Sequence, residues 1–423
     1  MNATAPADAP TRAWPDRPTE HPLGDGRFAE SAERPGSVDE LREAVARRAS
    51  SGLAIYPQGG TTALDYGGVP RLPGVAFDLL QINRVIDYPV ADMTITIEAG
   101  MTLAALRATT GEHRQRLELD APQPDRATIG GIYATNTNGP RRLVHGRPRD
   151  QIIGISFVAS DGKLLKGGGR VVKNVAGYDF PKLLTGSLGT LSIITQLTLK
   201  VRPSPEAAAI IWAGYPDAIS ADAALARIDK SAARPVAIEL LNAPAARQVG
   251  LAEHPWGIAI GLEDNAASVA WQIDRLRTDL AGSAGFEVVE GVAADPIWSA
   301  LTDFQAAKLG PITFVAQVRP STIIKLVGSL DPGRWAIEAH AGSGVVRGHA
   351  LGTDTDPAAE ISRLRAIATQ AGGALSLSRC PTDRKGELKV WGDPRPDWAV
   401  AERVKRALDP AGLMNPGRFV GTI

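Results

Sequence analysis

The chain has 423 residues, of which 44% are hydrophobic and 22% are charged, as in ordinary soluble globular proteins. This length is enough for two or three domains of about 100 to 200 residues each. Its 46 basic residues are balanced by 46 acidic residues, so the net positive charge typical of nucleic-acid-binding proteins is missing. Nucleic acid is therefore not an expected partner.

Two further features limit where the protein acts and which metal clusters it can hold. No stretch approaches the ~18 uninterrupted apolar residues that direct membrane insertion requires. The single cysteine, Cys380, excludes an internal disulfide and cannot hold an iron–sulfur cluster, which needs about four thiolates. We expect a cytoplasmic protein that associates with a membrane only through partners, and we interpret Cys380 as a core residue.

The first half of the chain reads as a helix followed by strands. Residues 1–30 are rich in Pro, Ala and Asp and predict a flexible arm. A capping box at Ser37–Glu40 predicts a helix start, and Leu53–Tyr56 predicts a strand. The later elements predicted here are strands at 94–99, 152–159 and 191–201, a helix from about 102, and a turn at Asp161-Gly162.

From about residue 207 the pattern changes to strands separated by helices, which predicts a separate α+β domain at 207–375. The predicted strands are 209–213, 236–241, 257–262, 286–290, 313–318, 335–341 and 344–351, and the predicted helices are 218–231 and 266–280. A last helix at 398–408 lies in a C-terminal segment, 376–423. We expect this segment to return to the first domain, at 31–206.

Three glycine-rich segments are the candidates for ligand binding. In the first, Pro57-Gln58-Gly59-Gly60-Thr61-Thr62, glycines and hydroxyls suit a phosphate cradle, although an ordinary tight turn fits equally well. The second, Thr128-Ile129-Gly130-Gly131 through Thr135-Asn136 to Gly139, follows Pro122 and fits either backbone lying along a ligand or a long surface loop.

The third segment runs from Lys173-Asn174 through Tyr178 and continues at 186–191. A lysine near a flavin stabilises the charge of the reduced ring, and Asn or Tyr can bind a substrate carboxylate. The alternative is a solvated lysine and a packed tyrosine. The glycines do not form a G-x-G-x-x-G after an N-terminal strand or a Walker motif, so a nicotinamide or mononucleotide fold is not predicted.

Together, Tyr56-Pro57-Gln58-Gly59-Gly60-Thr61, Glu98-Ala99-Gly100, 127–131 and 186–191 resemble the FAD-binding domain of the vanillyl-alcohol oxidase (PCMH) type. Residues 139–142, 149–150, 172–179 and 408–419 are similar to the FAD-binding subunit family of bacterial glycolate oxidase. The resemblance implies an α+β fold with a two-subdomain FAD-binding unit and a second domain of antiparallel sheet and helices.

The resemblance also implies FAD, with its pyrophosphate on residues 57–62 and its length along 128–138. Further cofactor-binding residues are implied at Gly189, Ile193, Ile194 and Asn415. No histidine lies in the first loop, where some relatives attach FAD covalently, so we expect non-covalent FAD. The implied partners are a larger flavin subunit, an iron–sulfur subunit and a small 2-hydroxy acid such as glycolate, and no metal is expected.

One motif in the second half bears on catalysis. His340-Ala341-Gly342-Ser343-Gly344 resembles a His-Ala-Gly-Asp-Gly-Asn segment that supplies metal and catalytic groups in 2-hydroxyacid dehydrogenases of this fold, but Ser343 and Val345 replace its Asp and Asn. His340 is the candidate catalytic group with Lys173, Asn174 and Tyr178, and His349 is a second candidate contact. The alternative is a neutral histidine buried at a strand end. A self-sufficient lactate-type dehydrogenase and a cofactor-free scaffold remain the competing functions.

Overall fold

The computed structural model describes residues 21–169, 177–352 and 357–423, and its first unit contains small sheets with helices around them. Strands β3, β5 and β4 form a parallel sheet, β10, β9, β11, β7 and β6 form an antiparallel sheet in that order, and β1–β2 and β12–β8 form two-stranded pairs. The strands are β1 Pro22–Gly24, β2 Arg27–Phe28, β3 Ser31–Glu33, β4 Ala54–Gln58, β5 Gly74–Asp78, β6 Val85–Asp87, β7 Thr94–Glu98, β8 Gln115–Arg116, β9 Ile152–Val158, β10 Leu164–Gly168, β11 Ile193–Lys200 and β12 Arg202–Pro203. The helices are α1 Val38–Ser51, α2 Leu103–Gly111, α3 Ile129–Thr135, α4 Arg142–His145, α5 Pro148–Gln151 and α6 Phe180–Leu184.

Local sequence explains the first helix. The Ser37 side chain accepts a hydrogen bond from the Glu40 amide, while Gly52 ends the helix in the left-handed conformation. The apolar face of α1, at Leu41 and Val45, packs with Met414 of the C-terminal segment in one core.

The second unit is one eight-stranded antiparallel sheet in the order β16-β13-β15-β14-β18-β19-β17-β20. Both faces are covered, because one core cluster includes residues of α7, α9, α11 and α12 and another includes residues of α8 and α10. The strands are β13 Ala207–Tyr215, β14 Ala237–Asn242, β15 Trp256–Asp264, β16 Phe286–Glu290, β17 Thr313–Gln317, β18 Trp335–His340, β19 Val345–Ala350 and β20 Ala374–Arg379. The helices are α7 Ala218–Lys230, α8 Ala243–Gln248, α9 Ala266–Asp279, α10 Asp295–Asp303, α11 Ile323–Val327, α12 Pro357–Gln370, and, after the sheet, α13 Lys385–Leu388 and α14 Trp398–Leu408.

Two boundaries and one element differ from the sequence prediction. The arm predicted at 1–30 is part of the packed body from residue 21, since Leu23 and Ala29 are buried and Asp25 is paired with Arg418. The boundary predicted after residue 375 falls inside β20, because this strand completes the large sheet beside β17. Residues 129–135 form helix α3 rather than a loop, with the Thr128 side chain capping its first turn.

Buried ion pairs join the two units. Glu263 of β15 pairs with Arg116 and Arg141 of the first unit, and Arg141 also pairs with Asp120 and lies 3.9 Å from the ring centroid of Trp298. Across residues 21–169, 177–352 and 357–423, no helix combines the length and the apolar character needed to cross a bilayer.

Candidate functional site

The first predicted glycine loop forms one wall of a cleft. Residues 57–62 follow β4, and Thr61 turns the chain in the left-handed conformation. A Cβ on Gly60 would collide with the carbonyl of Arg126, and one on Gly59 would collide with the Thr128 side chain. These two glycines are thus required for contact between the loop and the segment before α3, whereas the sequence reasoning had explained them by approach to a ligand.

Helix α3 and the first residues of β11 form the opposite wall. Gly130 packs against Ala99, where an added Cβ would lie 2.8 Å from the Ala99 Cβ. Asn415 donates to the Leu188 carbonyl at 2.6 Å, which fixes the C-terminal segment beside this wall. Ser192 lines the cleft with a buried Oγ that has no hydrogen-bond partner among the described residues, so it can serve a ligand.

Most of the predicted cofactor-binding residues meet in this cleft of about 140 Å³. They come from four separate segments: Pro57, Gln58, Gly59, Gly60, Thr61, Thr62, Thr128, Gly130, Gly131, Thr135, Gly189, Ile193, Ile194 and Asn415. Pro122 and Asn136 lie in the cavity next to it. Ile129 lines neither space, because its fully buried side chain belongs to the core of the first unit.

The cleft continues into a larger cavity of about 500 Å³ between the two units. The two spaces share the lining residues Thr61, Thr62, Ala63, Leu64, Tyr66, Gly131 and Thr135. The far wall is rich in positive charge, with Arg142 from the first unit and Arg347 from β19. A long ligand in the cleft would therefore present one end to a basic cavity.

Behind Arg347 lies a fully buried group of charged residues. Glu338 and Arg347 are directly paired across the β18–β19 hairpin, and the Glu338 Oε2 lies 4.0 Å from the Arg347 Nη1. His340 stands between the Arg347 Nη1 and the Glu239 Oε2, the latter 2.5 Å from its Nδ1. Because the arginine can only donate, the Nε2 must accept, and the Nδ1–H is donated to Glu239.

Burial sets the charge state of this group. Desolvation raises the pKa of Glu338 to about 8, although Arg347 opposes the shift. Desolvation and the charge of Glu338 also raise the pKa of Glu239 well above its ordinary value. Desolvation and Arg347 lower the pKa of His340 well below its ordinary value. A neutral His340 with protonated glutamates leaves Arg347 as the main charge of the group.

Of the predicted catalytic residues, Tyr178 and His340 do not line the cavity. Lys173 and Asn174 lie outside the described residues. Tyr178 is 84% exposed, and its ring contacts Phe180, with ring centroids 6.1 Å apart. His340 is only 2% exposed and both its ring nitrogens are engaged, so the alternative of a buried neutral histidine describes it better than substrate contact.

His349 is likewise a buried strand residue. Its Nδ1 lies 3.0 Å from the Thr313 hydroxyl and its Nε2 lies 2.9 Å from the Phe304 carbonyl. Burial lowers the pKa of this histidine to about 4. It therefore contributes to the packing of the sheet rather than to the cavity.

Sequence reasoning missed Arg347, Tyr66, Ser192 and the two buried glutamates. A signal for part of this group exists, because charged residues recur at every second position in otherwise apolar strands, at Glu338 and His340 and again at Arg347 and His349. Such residues face one side of a sheet together. Tyr66 and Ser192 carry no comparable pattern.

Comparisons with known proteins agree with this geometry. Residues 30–168 match the family model described as "FAD binding domain", and residues 392–419 match "FAD linked oxidases, C-terminal domain". The chain is 33% identical over 215 residues to a D-2-hydroxyglutarate dehydrogenase of Xanthomonas citri, spanning 50% of this chain and 44% of that protein. It is 28% identical to glycolate oxidase subunit GlcE of Escherichia coli, over 85% of this chain and 91% of that one.

Structural comparison supports the same fold. The chain superposes on an alkyldihydroxyacetonephosphate synthase with a TM-score of 0.66 at 17% identity, covering 91% of this chain and 76% of that one. The two family matches fall on the two parts of the chain that build the cleft, namely the first unit and the C-terminal segment.

Proposed function

Since the first unit is an FAD-binding domain of the PCMH type and FAD is its cofactor, we propose that the chain is the flavin subunit of a glycolate dehydrogenase. In this proposal it acts on small 2-hydroxy acids. Bound FAD supplies a hydride acceptor. The observation that carries the proposal is the continuity of the FAD cleft with a basic cavity, which suits an anionic substrate at one end of the cofactor.

Several segments of the chain would together bind the cofactor. Loop 57–62, Gly131 and Thr135 surround one part of the cofactor, and Ser192 offers the unpartnered hydroxyl. Asn415 holds the C-terminal segment against Leu188. We propose that FAD is held non-covalently, since no histidine lies in the loop.

The single cysteine limits how electrons can leave FAD. Cys380 is the only cysteine of the sequence and is buried, and burial raises the pKa of its thiol to about 11. An iron–sulfur cluster needs about four thiolates. We propose that electrons leave FAD for an iron–sulfur subunit, beside a larger flavin subunit, and that the complex works in the cytoplasm or at a membrane through its partners.

A self-sufficient D-2-hydroxyacid dehydrogenase of the lactate type is the second candidate. The likeness to a D-2-hydroxyglutarate dehydrogenase supports it, while the absence of a free histidine at the cavity among the described residues favours the subunit role.

The test is an anaerobic visible spectrum of the purified holoprotein before and after glycolate or D-lactate. Bleaching only after the partner subunits are added supports the subunit role, and bleaching of the isolated chain supports the second candidate. A flavin that neither acid reduces, with or without partners, refutes both.

A further inference from the structure

We propose that Arg142 and Arg347 together form the carboxylate-binding site for the substrate, at the junction of the two units. This inference rests on the proposed function, because it places the acid group of a small 2-hydroxy acid in the cavity beside the FAD cleft. Both side chains line that cavity.

Shared contacts fix the positions of the two guanidinium groups. Arg142 donates to the Asn138 side-chain oxygen at 2.7 Å, and Arg347 donates to the Asn138 carbonyl at 3.2 Å. The Gln305 side chain accepts a hydrogen bond from Arg347 at 3.3 Å and donates one to the Asn138 carbonyl at 3.2 Å. Arg347 also donates to His340 and lies 4.0 Å from Glu338. Apart from Glu338, these contacts are to neutral groups, which leaves the positive charges available to an anion.

The nearby carboxyl groups do not neutralise both arginines. Glu239 and Glu338 have raised pKa values and favour their protonated forms. Desolvation, then the charge of Arg347, lowers the pKa of Arg142 to about 10. A buried and a half-buried cation that repel each other are stabilised when an anion enters between them.

The chemistry of the donors suits a carboxylate. A guanidinium presents a planar fork of N–H groups that matches the two oxygens of a carboxylate, and it has no acceptor for a cation. Arg347 also occupies the side of His340 that faces away from Glu239. Glu239, Glu338 and His340 bring three possible metal ligand atoms within 4.8 Å of one another. Arg347 already supplies a positive charge beside this group, in place of a metal ion.

The experiment measures binding of oxalate, a carboxylate that cannot be oxidised by hydride loss, to the FAD-loaded protein. The readout is the change in the flavin absorbance spectrum during titration, which gives a Kd without turnover. We expect Arg142→Gln and Arg347→Gln each to raise the Kd by about tenfold or more, which corresponds to about 1.4 kcal/mol. Lys230→Gln, which removes an exposed charge that lines neither space, is the control and should change the Kd less than about twofold.

Equal oxalate affinity in all variants, or no binding to the unaltered protein, would overturn the site. Arg347→Gln removes the charge beside the buried glutamates and can impair folding, so Arg142→Gln, which leaves that group intact, decides the question if the first variant loses its FAD. If glycolate bleaches the flavin but Arg142→Gln leaves the oxalate affinity unchanged, only this inference is refuted. If oxalate binding depends on the arginines but neither acid bleaches the flavin, only the proposed function is refuted.

Discussion

Replacing Glu263 by Gln should remove the main ionic link between the two units. The Glu263 carboxylate is paired with Arg116 and Arg141, the latter at 2.7 Å, and its side chain is only 3% exposed. Gln keeps the size of the side chain but loses its charge, so both arginines would face a neutral group across the interface.

The size of the effect follows from the carboxyl pKa. Burial alone would raise it, but the hydrogen bonds and charges of the two arginines outweigh burial and lower the pKa of Glu263 from 4.5 to about 2. At 1.36 kcal/mol per unit, this shift corresponds to roughly 3 kcal/mol of stability. Because the folded-state pKa is depressed, this stability is present above pH 4.5 and is lost as the pH falls through about 2.

Urea unfolding followed by tryptophan fluorescence gives the free energy of unfolding. We expect Glu263→Gln to lose roughly 3 kcal/mol, with the same loss at pH 6, 7 and 8 and a smaller loss below pH 4.5. Glu253→Gln is the matched control, because Glu253 also pairs with an arginine, Arg247, but is exposed. This variant should show no measurable loss of stability. Equal losses in the two variants, or a loss that disappears between pH 6 and 8, would refute the reasoning.

Two substitutions in the cleft test how it holds FAD. Gly60→Ala should abolish FAD retention, since the added Cβ collides with the Arg126 carbonyl, whereas Gly111→Ala, with no atom within 4 Å, should keep it; the ratio of flavin to protein absorbance decides. Ser192→Ala should weaken FAD binding by about fivefold, the effect of one lost hydrogen bond of about 1 kcal/mol. An unchanged Kd for FAD after Ser192→Ala would mean that its hydroxyl does not contact the cofactor.

Local patterns in the sequence were enough to predict the first glycine loop and many strands. The helix at 218–231 and the strand at 286–290, for example, were predicted to within one residue. Their signals are short-range, since capping side chains, alternation and turn residues act within a few positions. Helix α3 was missed because two adjacent glycines at 130 and 131 disfavour helix in isolation, and its packing on Ala99 supplies the compensation.

The cavity itself depends on long-range pairing that no local pattern encodes. Arg142 and Arg347 lie about 200 residues apart in sequence, and Asn138 holds both of them. Residues 340–344 were noticed for a motif that they match only in part. The useful information lay instead in the register of the hairpin, which pairs Glu338 with Arg347.

The C-terminal segment has a consequence for the order of events during synthesis. The Asn415 amide donates to the Ile55 carbonyl at 2.8 Å, and Met414 forms a parallel bridge to Ile55. A ribosome must therefore add residues 414 and 415 before this wall of the cleft can close, and contacts so distant in sequence form slowly. FAD capture should consequently follow synthesis of these two residues, so a nascent chain stalled before residue 409 would remain colourless.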